Sequence, residues 1–225
     1  MERAPQIYSP RRAWRIAGVA FVSWWLLAIV VGLVASVNPI DIAFTVGKVP
    51  AEGNDQVVWW VLVAGMFAIA VGGYWILWPI GTRTYGRPLH RWWCVGFGSV
   101  WGVSEALLYV TIWSVIRSLT DVDWLVVAIS FIAIAAFTGT WHEFFWDRYV
   151  SPIHNIPEWN LRKVLLIHTP NLIVSLTFLT LYESGLLFVA AQVIALVGST
   201  LFMRFPSPFD PDTNIDGSPL AATAS

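Results

Sequence analysis

Residues 124–155 read WLVVAISFIAIAAFTGTWHEFFWDRYVSPIHN. From Trp124 to Trp141 the stretch carries no charge, and it is long enough at 1.5 Å per residue to cross about 30 Å of hydrocarbon. It then turns polar over the next two helical turns, at His142, Glu143, Asp147 and Arg148. The reading is a membrane helix followed by a polar surface segment. Five further runs of the same kind complete the pattern. The expected spans are 14–36, 57–80, 92–117, 124–146, 163–182 and 185–203. The fold class is therefore an all-α integral membrane protein, a six-span transmembrane helix bundle.

Composition agrees with that reading. Of 225 residues, 57% are hydrophobic and 12% charged, whereas soluble domains hold about 45–50% and about 25%. Fifteen tryptophans fit a chain with two membrane interfaces. A net charge of −1 offers no basic surface for nucleic acid. One cysteine, Cys94, excludes an internal disulfide and a cysteine-built metal site.

Charge sets the orientation. Eleven of the thirteen basic residues fall in the N-terminal segment, the loops after spans two and four, and just after span six; only Lys48 and Arg117 lie on the other side. Both termini are expected in the cytoplasm of a multi-pass cell-membrane protein. The apolar run of span one exceeds a 7–15-residue signal core, so it is expected to be retained. The organisation expected is a cytoplasmic segment 1–13, a membrane domain 14–203 and a Pro-, Asp- and Ser-rich cytoplasmic tail 204–225, disordered by composition. Gly98 and Gly102 in span three, and Ala135 and Gly139 in span four, stand four apart, a spacing that lets helix backbones approach in lipid. They are expected to pack spans three and four together. Gly and Trp faces also offer contacts to a second copy or a membrane partner.

The candidate chemistry is confined to a few positions. Glu105 stands near the middle of span three, where an acid costs about 2.5–3.5 kcal/mol to insert and is expected to face the bundle interior. Tyr109 follows one turn on, on the same helix face. At the end of span four, Glu143 and Asp147 share a face if the helix keeps its ordinary pitch, with His142 about 100° away. Pro152 and Pro157 bracket His154 and Asn155. His168 lies just inside span five, followed by Pro170 and Asn171, so "HTPN" is expected to be a kinked or broken point lining a cavity. Trp141, Trp146, Tyr149 and Trp159 read as an interfacial aromatic belt.

All four histidines belong to the termini side. His142, His154 and His168 with nearby carboxylates form a ligand mixture suited to zinc or non-haem iron. The sequence has no HExxH, nor the HxxxH and HxxHH boxes of membrane desaturases and hydroxylases. Three functions are consistent with this. The first is a membrane enzyme acting on a lipophilic substrate such as an isoprenoid, sterol or acyl lipid. Its catalytic groups would be Glu105, Glu143, Asp147 and Tyr109, its metal ligands His142, His154 and His168, and its substrate-lining residues Asn155 and Asn171. A metal-free variant is an acid-initiated terpenoid cyclase. The second is a proton-coupled carrier centred on Glu105, and the third a non-catalytic membrane subunit.

Overall fold

The computed structural model describes residues 7–35, 37–80, 87–150, 159–214 and 218–220. Six helices are long and apolar enough to cross a membrane. They are Pro10–Val34 (span one), Asn54–Leu77 (span two), Arg91–Leu119 (span three), Asp123–Val150 (span four), Leu161–Tyr182 (span five) and Gly185–Met203 (span six). By length and composition the chain is a multi-pass membrane-helix bundle, and each helix ends within four residues of the sequence expectation.

Local chemistry fixes several of those ends. Pro10 starts span one, where a missing N–H costs nothing. Asn160 accepts a hydrogen bond from the Lys163 amide at the start of span five. Spans five and six stop where Glu183 and Arg204 take left-handed backbone, at φ 52° and 58°.

Span one shows how the sequence is sorted in lipid. Ala13, Ala17, Ala20, Trp24 and Ala28 recur on one buried stripe, while Val19, Val22, Leu26, Leu33 and Val34 are exposed on the opposite face. Small residues thus face protein and branched ones face outward, as close packing without a hydrophobic driving force requires.

The glycine spacing of span three works against a different partner from the one expected. A Cβ on Gly98 would lie 2.6 Å from the Val197 Cα, and one on Gly102 would lie 2.6 Å from the Val193 Cα. Both glycines therefore seat span three on span six, not on span four. Gly139 of span four instead receives the Trp159 ring, 3.4 Å from where its Cβ would be. Spacing shows that a face permits close approach; it does not name the helix that approaches.

Both described ends lie on one side of the bundle. Strand β1 (Ile7–Tyr8) pairs antiparallel with β2 (Thr213–Asn214), with Ile7 opposite Asn214 and Tyr8 opposite Thr213. Between span six and β2 the chain is held at several points. Phe205 stacks on Phe97 with centroids 4.2 Å apart, the Trp14 indole donates to the Pro206 carbonyl at 2.9 Å, and Asp210 pairs with His90 at 2.8 Å. The disorder expected from composition does not extend over residues 205–214. A single buried phenylalanine and the strand pair outweigh the polar composition.

On the opposite side, a short helix (Pro39–Ala43) tucks the long loop over the turn between spans five and six. A Cβ on Gly185 would lie 1.9 Å from the Ile42 carbonyl oxygen. Glu183 is half in water and pairs with Lys48 at 3.0 Å, as a wet loop acid does.

Candidate active site

Three of the six spans depart from ordinary α pitch. Residues Ile69–Leu77 of span two, His142–Val150 of span four and Val164–His168 of span five are wound as π-helix. Each wide segment supplies one polar side chain to a common cavity: Tyr74, His142 and His168. π-Helical turns are rare and frequently occur at functional sites. In span five the wide turn also absorbs Pro170. The helix is continuous through Thr169–Tyr182, so the break expected at "HTPN" is a change of pitch instead.

The cavity measures about 20 Å³ and is lined by Tyr74, Trp78, Trp101, Glu105, Tyr109, Thr138, His142, Trp159, His168, Gln192 and Leu196. That is room for a water or one functional group of similar size, since a water needs roughly 10–15 Å³. Two of its lining atoms, His168 Nε2 and Gln192 Nε2, are buried without a hydrogen-bond partner. Buried polar atoms in that state are rare in native structures, and a bound polar group relieves their desolvation cost.

His142 and Asp147 form a dyad. Nδ1 of His142, its side chain 5% exposed, lies 2.9 Å from Asp147 Oδ1, and Asp147 Oδ2 accepts the Trp159 amide at 3.1 Å. With Nδ1–H donated to the carboxylate, Nε2 is the imidazole nitrogen left for chemistry. The pairing is a product of the π winding, whose i→i+5 register sets Asp147 against His142. At ordinary pitch the partner in register with Asp147 would be Glu143. Glu143 instead points away from the cavity, 70% exposed, with Arg148 3.8 Å off.

Glu105 and Tyr109 line the same cavity. Tyr109 Oη is hydrogen-bonded to Glu105 Oε1 and lies 3.3 Å from Thr138 Oγ1, and Thr138 Oγ1 donates to the Ile134 carbonyl at 2.7 Å. Tyr109 donates to Glu105, and Thr138 donates to the Ile134 carbonyl beside it, so acid, phenol and hydroxyl form one polar line along this wall.

A second polar line backs His168. Tyr74 Oη lies 3.3 Å from His168 Nδ1, Asn171 Nδ2 donates to Tyr74 Oη at 3.4 Å, and Ser175 donates to Asn171 at 3.4 Å. Asn171 therefore orients Tyr74 from behind and does not line the cavity. Trp159 packs against both imidazoles, stacked on His142 at 4.8 Å and edge-on to His168 at 4.7 Å.

Of the residues singled out in the sequence, Glu105, Tyr109, His142 and His168 meet at the cavity, with Asp147 directly behind His142. His154 and Asn155 lie outside the described residues. Among the described residues no three His, Cys, Asp or Glu side chains stand in a metal-binding arrangement. The interfacial aromatic belt is half displaced: Trp146 is 1% exposed and packs on Trp101 at 4.1 Å, and Trp159 is part of the site. Tyr74, Thr138 and Gln192 were not singled out. Gln192 carried a usable signal, since an amide inside the apolar run FVAAQVIAL needs a partner in hydrocarbon.

No protein-family model, curated protein or solved structure matches this chain. The functional reading therefore rests on the site itself.

Proposed function

We propose that the chain is a membrane-embedded enzyme that acts by general acid–base catalysis on the polar head of a lipophilic substrate, such as an isoprenoid, sterol or acyl lipid. The observation that carries this is that a His142–Asp147 dyad and a Glu105–Tyr109 pair meet at one small cavity whose lining also holds two nitrogens without partners, His168 Nε2 and Gln192 Nε2. A base and an acid held in different environments around one space is the arrangement that proton-transfer chemistry needs. In this reading His142 Nε2 accepts the proton and Asp147 stabilises the resulting cation. Glu105, through Tyr109, returns a proton, while Gln192 and His168 hold the reacting group. The cavity admits only that group, so the apolar remainder of the substrate lies among the spans. A separate slot of about 90 Å³ between spans two and five is lined by Leu77, Ile80, Asn160, Arg162, Lys163, Leu166 and Ile167 and shares no residue with the central cavity.

The protein resides, on this proposal, in the cell membrane with both termini in the cytoplasm, following the bias of its basic residues. The test is lipid extraction from a strain lacking the gene. A precursor should accumulate, disappear on complementation with the wild-type chain, and persist with Glu105→Gln or Asp147→Asn. An unchanged lipid profile would refute the enzyme reading. Stoichiometric zinc or iron in the purified protein, lost in His142→Ala and His168→Ala, would replace the acid–base reading with a metal-assisted one.

The two hydrogen-bonded lines, Glu105–Tyr109–Thr138 and His168–Tyr74–Asn171–Ser175, favour one second reading, a proton-coupled carrier. Its mark is pH-driven flux in vesicles that Glu105→Gln abolishes.

A further inference from the structure

A groove of about 560 Å³ runs down the outside of the bundle between spans one and four and shares no residue with the central cavity. On span one its lining reaches from Arg12 to Ser23, about 16 Å of helix at 1.5 Å per residue. That is close to the depth of one leaflet, because the hydrocarbon core is about 30 Å thick.

The floor is aromatic. Trp24 packs edge-on to Phe137 at 6.2 Å and to Trp141 at 5.7 Å, and Trp141 stacks on Phe145 at 5.2 Å. These rings hold one another, so the floor keeps its shape without an occupant. Val19, 70% exposed, forms an apolar rim. An apolar channel of that length on the outer face of a membrane helix suits an alkyl chain.

Charge is confined to one end. Arg12 and Arg15 stand three apart on span one, at the termini side, and both are exposed. The Arg12 guanidinium lies over the Tyr149 ring, 4.4 Å from its centroid, which ties the start of span one to the end of span four. The ring restrains the cation but offers its N–H groups no oxygen acceptor. Among the described residues neither arginine pairs with a carboxylate, and no acid lines the groove. The lining is therefore cationic at the surface end and apolar below it.

That layout selects the headgroup. Two guanidiniums match the charged oxygens of a phosphodiester. A zwitterionic head would also bring an ammonium to two cations with no carboxylate to receive it. A head without a cation leaves the phosphate charge uncancelled.

We propose that this groove binds an anionic phospholipid of the termini-side leaflet, its phosphate held by Arg12 and Arg15 and one acyl chain laid over Trp24, Phe137 and Trp141. The proposal does not rest on the catalytic reading, since the two sites share no lining residue. The test titrates the full chain, purified in a neutral maltoside detergent, with dioleoyl phosphatidylglycerol, dioleoyl phosphatidylcholine or glycerol 1-phosphate, and counts bound molecules by native mass spectrometry. Phosphatidylglycerol should bind one per chain and more tightly than phosphatidylcholine. Arg12→Gln and Arg15→Gln should each weaken it about fivefold, and together about 30-fold, at the usual worth of a basic side chain beside an anionic lipid. Arg11→Gln removes the same charge beside Arg12 but outside the lining, and should change binding by less than about twofold. All three side chains are exposed, so the fold does not depend on them. Equal binding of the two lipids, undiminished binding by the double variant, or an equal loss in Arg11→Gln would overturn the site. Glycerol 1-phosphate binding as tightly as phosphatidylglycerol would overturn the acyl-chain half and leave a phosphate site only.

Discussion

Replacing Gly102 with alanine tests the packing that holds the central cavity. The added methyl carbon would lie 2.6 Å from the Val193 Cα, 3.0 Å from its amide nitrogen and 3.1 Å from the Gln192 carbonyl oxygen. All three are backbone atoms, so no side-chain rotation relieves the contact. Spans three and six must separate by about 1 Å to restore a normal carbon–carbon distance. Overpacking of this kind costs about 1–3 kcal/mol. A Gly96→Ala change is the internal control, because nothing lies within 4 Å of its added Cβ. There, removing the flexibility of a helical glycine stabilises by roughly 0.5–1 kcal/mol. The same substitution six residues apart in one helix therefore has opposite signs. In detergent, thermal unfolding should fall by about 2–12 °C for Gly102→Ala, at roughly 2–4 °C per kcal/mol, and rise slightly for Gly96→Ala. The consequence reaches the site, because Gln192 precedes Val193 and Glu105 follows Gly102 by three residues. Separation of the two spans moves the amide away from the acid, so the catalytic function proposed should fall with stability. A Gly102→Ala protein as stable as wild type, or more so, would refute the argument.

Other outcomes follow from single contacts. Thr138→Val removes the hydroxyl 3.3 Å from the Tyr109 phenol but leaves the phenol its bond to Glu105, so it should destabilise by only about 0.5–1.5 kcal/mol in denaturant titration. Asp147→Asn should preserve the fold but leave His142 without the carboxylate that fixes its tautomer; activity should fall at least 10- to 100-fold, the usual cost of losing such a partner, while unfolding temperature changes little. Tyr8 lies outside the spans, donates to the Val150 carbonyl at 2.9 Å, and has its pKa raised by burial. The folded state therefore retains this proton longer than the unfolded state, so stability present below about pH 10 declines as pH rises past it. Tyr8→Phe should lower stability at neutral pH and flatten that alkaline decline, measured by unfolding between pH 8 and pH 11.

The spans and the central acid were legible because both are one-dimensional signals. An uncharged run of twenty residues has few fates, and Glu105 within such a run must turn inward. The dyad was legible in its members but not in its pairing. His142 and Asp147 are five apart, a spacing that ordinary helix geometry assigns to different faces, and only the wide pitch of His142–Val150 unites them. Tyr74 was hidden for a related reason, since it sits among aromatics and glycines in "GGYW" and becomes polar in effect only beside His168. Which helix Gly98 and Gly102 would meet depended on contacts between segments about ninety residues apart, and no local pattern encodes that. The order of the tail likewise came from a distant stack, Phe205 on Phe97.

The pairing of Ile7–Tyr8 with Thr213–Asn214 brings the first and last described elements into register. The six helices thus form a closed circuit in which the covalent order is one choice of where a ring is cut. Linking the ends there and reopening the chain in the exposed turn at Thr120–Val122 would yield a circular permutant with the same interior neighbours and with its ends on the opposite face of the bundle. Such a permutant would separate two things that the natural order keeps together, the integrity of the buried site and the side of the membrane from which the chain begins.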